Sequence, residues 1–205
     1  MDITEFIKYL SDSKEIIRAG LFAITFVVFA ENGIFFAFFL PGDYLLFLCG
    51  VFVGVGVLKY SLITVLLYLF TAAVLGSLTG FIFGRFFGNT FKNKPDTWYF
   101  KQSYLTSTNE FFAKYGNQAL IISRFLPYIR TFAPILAGMA KMNYPKFLAL
   151  NIGGAALWVF SLVGLGYFLG VRFPWIINYV HYVVLFFLIV STFTVVKGYF
   201  NLKNK

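Results

Sequence analysis

The chain has 205 residues, 60% apolar and only 12% charged, against about 45–50% and 25% in soluble domains. A soluble globule of this length has too little interior to hide so much apolar surface, so composition alone excludes it and reads as an integral membrane protein. The net charge of +9, from 17 Lys and Arg against eight Asp and Glu, lies mostly between apolar runs. Topology signals and anionic-lipid contacts are distributed in that way, and nucleic acid is excluded as a partner.

Residues 1–18 are polar, hold several acidic groups and are followed by no small-x-small site. They are expected to form an N-terminal tail rather than a cleavable signal. The apolar runs that follow are 19–40, 44–58, 60–83, 118–140, 147–171 and 173–196. Runs 60–83, 147–171 and 173–196 are uncharged and reach the roughly 20 residues that a helical span takes, so each is expected to cross the bilayer. The 29 Phe and 13 Tyr residues suit lipid contact and interfacial belts. The single cysteine, Cys49, lies in an apolar run and is read as a small core residue.

The other three runs are short, charged or interrupted. Runs 19–40 and 44–58 carry Glu31 and Asp43 on either side of Pro41-Gly42. Run 118–140 reads QALIISRFLPYIRTFAPILAGMA and contains Arg124, Arg130, Pro127 and Pro134. As a full span it would place both arginines in hydrocarbon, at about 2.5–3.5 kcal/mol each. As a re-entrant hairpin with its tip at the prolines, it can turn both toward a protein-lined cavity. Loop charge separates the two. The hairpin puts Arg85, Lys92, Lys94, Lys101, Lys114, Lys141, Lys146, Lys197, Lys203 and Lys205 on one side and leaves Lys59 and Arg172 on the other. A full span abolishes that bias. The positive-inside rule therefore favours the hairpin and a cytoplasmic C-terminus, with 197–205 a basic tail.

Between the halves, 85–117 is the one long polar stretch. Its aromatics interleave with lysines, which predicts an interfacial amphipathic helix; Ser107 with Glu110 reads as a capping box and Gly116 as a stop. A plain connecting loop is the alternative.

The two halves resemble each other. Leu40-Pro41 and Leu126-Pro127 are each followed, about forty residues on, by a glycine-spaced end: Gly84 with Gly88, and Gly166 with Gly170. The fold class expected is an all-α polytopic membrane protein, an inverted repeat of re-entrant hairpin plus transmembrane helix. The first repeat is 19–83, the second 118–171, and 173–196 is an additional C-terminal transmembrane helix. Gly76, Gly80, Gly84 and Gly88, like Gly166 and Gly170, recur every four residues and are read as helix-packing contacts.

Ionisable groups inside apolar runs are functional candidates by default. They are Glu31, Asp43, Arg124, Arg130 and a lone His181, which has no second imidazole to act with. Pro41 and Pro127 suit the first turns of half-helices, which places Asp43 and Arg130 at or beside those turns. Two guanidiniums converging on a cavity suit a phosphate; the carboxylates suit a proton or cation. A structural set of salt bridges, Asp43 with Arg130, competes with both.

These residues resemble the DedA family of bacterial membrane proteins, the SNARE-associated or VTT-domain superfamily. The match runs through Glu31, Gly33, Pro41, Gly42 and Asp43, then Tyr115, Gly116, Arg124, Phe125, Pro127, Arg130, Thr131, Ala137 and Gly138. Ser123 stands where many members carry Gly. The resemblance implies lipid translocation, most directly the return of undecaprenyl phosphate across the bacterial cytoplasmic membrane, with phospholipid flipping or scrambling as the alternative. It also implies that Glu31 and Asp43 couple transport to protons or sodium ions, and that Arg124 and Arg130 bind the phosphate. No catalytic signature accompanies these residues, and no cofactor or metal site is expected. A proton-coupled small-ion transporter is the remaining alternative. Expected partners are membrane lipids and protons or sodium, with a homo-oligomer left open.

Overall fold

In the computed structural model the described residues are 13–34, 42–92, 102–179 and 182, and every regular element among them is helical. The α-helices are α1 (Ser13–Gly33), α2 (Gly42–Gly54), α3 (Leu62–Lys92), α4 (Gln102–Tyr115), α5 (Ala119–Ile122), α6 (Pro127–Met139) and α7 (Tyr144–Arg172). Turns of 3-10 helix at Gly116–Gln118 and Ser123–Phe125 flank α5, and another, Pro174–Tyr179, follows α7. The segments Leu62–Phe86 and Tyr144–Arg172 are long and apolar enough to cross a membrane. By contrast α2 and α6, with 13 residues each, reach only about 20 Å, short of a hydrocarbon layer of roughly 30 Å.

Local chemistry explains the helix ends. Ser61 Oγ accepts from the Thr64 amide at the start of α3 (3.1 Å), and Asn143 Oδ1 accepts from that of Lys146 at the start of α7 (3.4 Å). Both are N-cap bonds. Leu126 is extended (φ −121°, ψ 111°) and Pro127 opens α6, where its missing amide costs nothing. Gly116 (φ +57°) stops α4 as expected. The α6–α7 turn closes with Met142 N donating to Ala137 O and Lys141 N to Gly138 O, and puts Lys141 at φ +53°. That is a Schellman arrangement with lysine where glycine is usual.

Packing contacts give the helix directions. Phe81 stacks on Phe147 and Phe70 on Phe160, so α3 and α7 run antiparallel. Gly50 faces Val163 and Tyr167, while Gly54 faces Tyr167 and Gly170, so α2 runs with α7. Gly76 backs onto Phe29 and Gly80 lies by Asn32, so α1 runs with α3; Gly80 lies by Pro134 and Arg85 by Gly138, so α6 does too. In the first half α1 and α2 thus run opposite ways, and the long helices α3 and α7 also point opposite ways. The packing is crossed: α2 of the first half lies on α7, and α6 of the second lies on α3. One apolar core holds Val28, Leu46, Leu69, Trp158 and Val163; a second holds Phe81, Leu120, Ala133, Ala137 and Phe147.

Several expectations change. Pro134 is not at a hairpin tip but inside α6, where it is buried. Its ring packs toward Gly80 of α3. The helix that begins in run 60–83 continues to Lys92 and carries Arg85 within it, and Gly84 is a contact point against Ile135 inside this continuing helix. Ser107 is no cap, since α4 starts at Gln102. Helix α1 starts at Ser13, within the stretch read as a tail. At the start of run 173–196, Phe173 caps the end of α7 and Pro174–Tyr179 is 3-10. The rest of that run apart from residue 182, and Pro41, His181 and residues 197–205, lie outside the described residues.

Glycines Gly76, Gly84, Gly166 and Gly170 sit where a β-carbon would overlap a neighbouring backbone, whereas Gly164 faces open space. Gly166→Ala is therefore expected to lower stability by about 2 kcal/mol or more, through forced separation of α7 from the Phe47 carbonyl. Gly164→Ala should leave stability unchanged or raise it by up to about 1 kcal/mol, by helix propensity. Thermal melting of the purified variants checks both; equal melting temperatures would refute the contact.

Candidate functional site

The end of α1, the start of α2, the turn before α6 and the first turns of α6 meet between α3 and α7. Glu31 (0% exposed), Arg124 (3%) and Arg130 (4%) are all buried there.

Arg130 is the centre of the first network. Its Nη2 donates to Glu31 Oε1 and its Nη1 to Asp43 Oδ1 at 2.7 Å. The same Asp43 oxygen accepts from the indole Nε1 of Trp158 at 2.9 Å, and the guanidinium carbon lies 5.3 Å from the Trp158 ring centroid. This places a cation over an aromatic face within the usual range. Glu31 Oε2 and Arg130 Nε are buried without a hydrogen-bond partner among the described residues. The two carboxylates differ in access: the Asp43 side chain is 28% exposed and that of Glu31 0%. Gly42 lies directly against the Glu31 carboxylate, so a β-carbon there would force that carboxylate to shift. Thr131, next to Arg130, donates through Oγ1 to the Glu31 carbonyl at 3.0 Å. Consecutive residues of α6 thereby hold the side chain of Glu31 and one of the carbonyls that the end of α1 leaves unpaired.

Arg124 has its own set of partners, all neutral. Nη1 donates to Asn32 Oδ1 at 3.3 Å; Nη2 donates to Ser77 Oγ at 3.0 Å, to the Asn151 carbonyl at 3.4 Å and to Asn151 Oδ1. The two amides are themselves oriented, since Asn32 Nδ2 donates to Val28 O (2.8 Å) and Asn151 Nδ2 to Val74 O (3.1 Å). Their oxygens are thereby turned toward the guanidinium. The Arg124 stem lies against Gly154, which has no side chain to obstruct it. The networks adjoin, as Glu31 serves Arg130 and Asn32 serves Arg124.

Four of the five ionisable residues singled out in the sequence, all but His181, thus come together, with a division of partners different from the one expected. The carboxylates do not stand apart from the arginines; Arg130 is shared between both, which is the salt-bridge arrangement entertained above with Glu31 added. The two arginines do not share a partner. Sequence reasoning missed Trp158, Asn32, Ser77, Asn151 and Gly154. Asn32 and Asn151 carried a usable signal, being amides inside apolar stretches, whereas Trp158 passes for one more apolar residue. No three His, Cys, Asp or Glu side chains gather as a metal site among the described residues.

The VTT domain family matches residues 40–168, a range holding Asp43, Arg124, Arg130 and Trp158. The chain is 38% identical over 151 residues to protein DedA of Escherichia coli (strain K12), covering 73% of this chain and 69% of that protein. It is 38% identical over 149 residues to the inner membrane protein YqjA of the same organism, covering 73% and 67%. An uncharacterized membrane protein of Mycobacterium tuberculosis (strain ATCC 25618 / H37Rv) is 39% identical over 159 residues, with 74% and 66% covered. No solved structure matches significantly. With two apolar helices of spanning length and relatives named as membrane proteins, the chain is a membrane protein, and it belongs to the VTT-domain family that includes DedA and YqjA.

Proposed function

We propose that the protein carries a phosphate-bearing lipid, most directly undecaprenyl phosphate, across the bacterial cytoplasmic membrane, coupled to the proton or sodium gradient. The observation that carries this reading is the buried guanidinium of Arg130 shared by two carboxylates from different helices, one of them partly exposed.

Charge balance supplies the mechanism. Glu31 and Asp43 ionised, with Arg124 and Arg130, form a formally neutral set. A phosphate anion entering it would leave a net negative charge in a low-dielectric interior, a cost of several kcal/mol. A proton or cation taken up by a carboxylate cancels that charge and frees a donor of Arg130 for the phosphate. Asp43, 28% exposed, is the carboxylate that exchanges; Glu31, fully buried, anchors Arg130. Arginine suits the task because its planar fork meets two partners at once. The lipid tail stays in the bilayer, along an apolar groove of about 390 Å³ between α1 and α3 lined by Phe22, Phe26, Phe29, Leu67 and Leu75. In this reading α1 with α2, and the 116–125 segment with α6, are the two re-entrant hairpins. Run 173–196 supplies the last span, and the C-terminus is cytoplasmic. The work is transport, not bond chemistry.

Proteoliposomes with an imposed pH gradient test the exchange. Asp43→Asn should fold with a melting temperature near wild type yet lose gradient-driven lipid accumulation at least about tenfold. Glu31→Gln should instead lose about 3–5 kcal/mol of stability, because half of the Arg130 pairing goes from a fully buried site. Arg130→Lys should not restore transport, since one ammonium lacks the two-pronged geometry. Stable Asp43→Asn protein accumulating lipid at the wild-type rate would refute carboxylate exchange.

Topology is tested separately. On a Cys49→Ser background, Lys94→Cys and Lys146→Cys should both be labelled by an impermeant reagent from the cytoplasmic side. Labelling from opposite sides would overturn the hairpin.

A further inference from the structure

Two donors from different helices converge on one oxygen. Arg130 Nη1 on α6 and Trp158 Nε1 on α7 lie 2.7 and 2.9 Å from the same atom, Asp43 Oδ1. The guanidinium is also held over the indole face, 5.3 Å from its centroid, and Trp158 is 1% exposed, so the ring has no freedom to turn away. A buried indole N–H needs an acceptor, and in an apolar core a residue of this size would more simply be Phe or Leu. Asp43 meets that need only from the partly exposed start of α2, with 28% of its side chain accessible. The donors are fixed and buried; the acceptor is the part that can leave.

We propose that Trp158 is a phosphate-binding residue, and that Asp43 Oδ1 occupies in this structure the position of a phosphate oxygen of the substrate. The proposal rests on the phosphate reading above and adds to it a second donor and a competitor within the chain. When Asp43 withdraws, the indole N–H and Arg130 Nη1 face one point with the geometry a tetrahedral oxyanion accepts. Neither donor is left unpaired at any stage, because the carboxylate and the phosphate take turns on it. Trp158 also braces Arg130 from the side, so the guanidinium keeps its aim when the carboxylate leaves.

The test measures binding of dodecyl phosphate, with inorganic phosphate as the second ligand, by thermophoresis of the purified full chain in one detergent. Dodecyl phosphate is expected to bind at least about tenfold more tightly than inorganic phosphate; equal affinities would overturn the assignment to a lipid headgroup. Asp43→Ala removes the competitor and should tighten dodecyl phosphate binding about tenfold. Trp158→Phe keeps the ring and removes one donor to a charged acceptor, so binding should weaken about tenfold in both the wild-type and Asp43→Ala backgrounds. In a chain with Trp98→Phe and Trp175→Phe, Trp158 is the last of the three tryptophans, and its emission should shift saturably with dodecyl phosphate. Unchanged affinity in folded Trp158→Phe protein, or a silent Trp158 emission while the ligand binds, would overturn the role of Trp158 and leave the phosphate reading intact. Absence of binding in wild type and Asp43→Ala alike would overturn the phosphate reading itself.

Discussion

The fold is organised around one charge that cannot be left alone. Arg130 is buried in a membrane protein, where an isolated guanidinium would cost far more than any single apolar contact returns. Its pairing with Glu31 and Asp43 therefore ties α1, α2 and α6 to one point, and Trp158 adds α7. Three of these four elements begin or end at the site. The first two turns of α6 contain Arg130 and Thr131, the last turn of α1 contains Glu31, and the first turn of α2 contains Asp43. Helix ends carry unpaired backbone groups, so bringing them together concentrates polarity in one small volume and leaves the outward faces apolar. Exposed Phe22, Phe26, Ile63, Leu67, Leu157 and Phe168 are those outward faces.

Such a site needs backbones that approach closely, and glycine provides the approach. Gly50 and Gly54 interlock with Gly166 and Gly170, Gly33 lies on Gly76, and Gly84 and Gly138 hold α3 to α6. In lipid the hydrophobic effect does not press helices together, so close van der Waals contact and interhelical hydrogen bonds must do so. Both are present, and they are coupled. Arg124 reaches Asn32, Ser77 and Asn151 only because α1, α3 and α7 are drawn tight around it, and Gly154 leaves room for its stem.

Much of this was legible in the chain because its signals are local. Leu126-Pro127 is a break because proline favours a first turn and restricts the residue before it, whatever surrounds them. Glu31, Asp43, Arg124 and Arg130 stand out because charge in an apolar run is rare. The misreadings share a cause as well. Pro134 looks like a second break until α6 is seen to run through it, buried against α3. Gly84 looks like a helix end until Ile135 is seen against it. Trp158 was invisible for the same reason: its polar atom acquires meaning from Asp43, 115 positions away in the chain. What depends on a partner distant in sequence cannot be read from spacing.

The two arginines also differ in a way that bears on the proposed coupling. Arg124 has only neutral partners, so dipoles of Asn32, Ser77 and Asn151 solvate its charge without cancelling it. Arg130 has the reverse, two carboxylates for one cation. Each network carries a formal charge of one unit, opposite in sign, and they adjoin at Glu31 and Asn32. Balance therefore exists only for the pair of networks together. In the proposed coupling, a proton or cation taken up by a carboxylate leaves the whole set with one excess positive charge, shared between guanidiniums that cannot themselves release it at ordinary pH. An anion is the direct remedy. The same arithmetic run backward expels the proton once the anion departs. In the proposed coupling, charge balance thus links binding of a cation at the carboxylates to binding of a phosphate beside the two arginines, for as long as both guanidiniums stay buried.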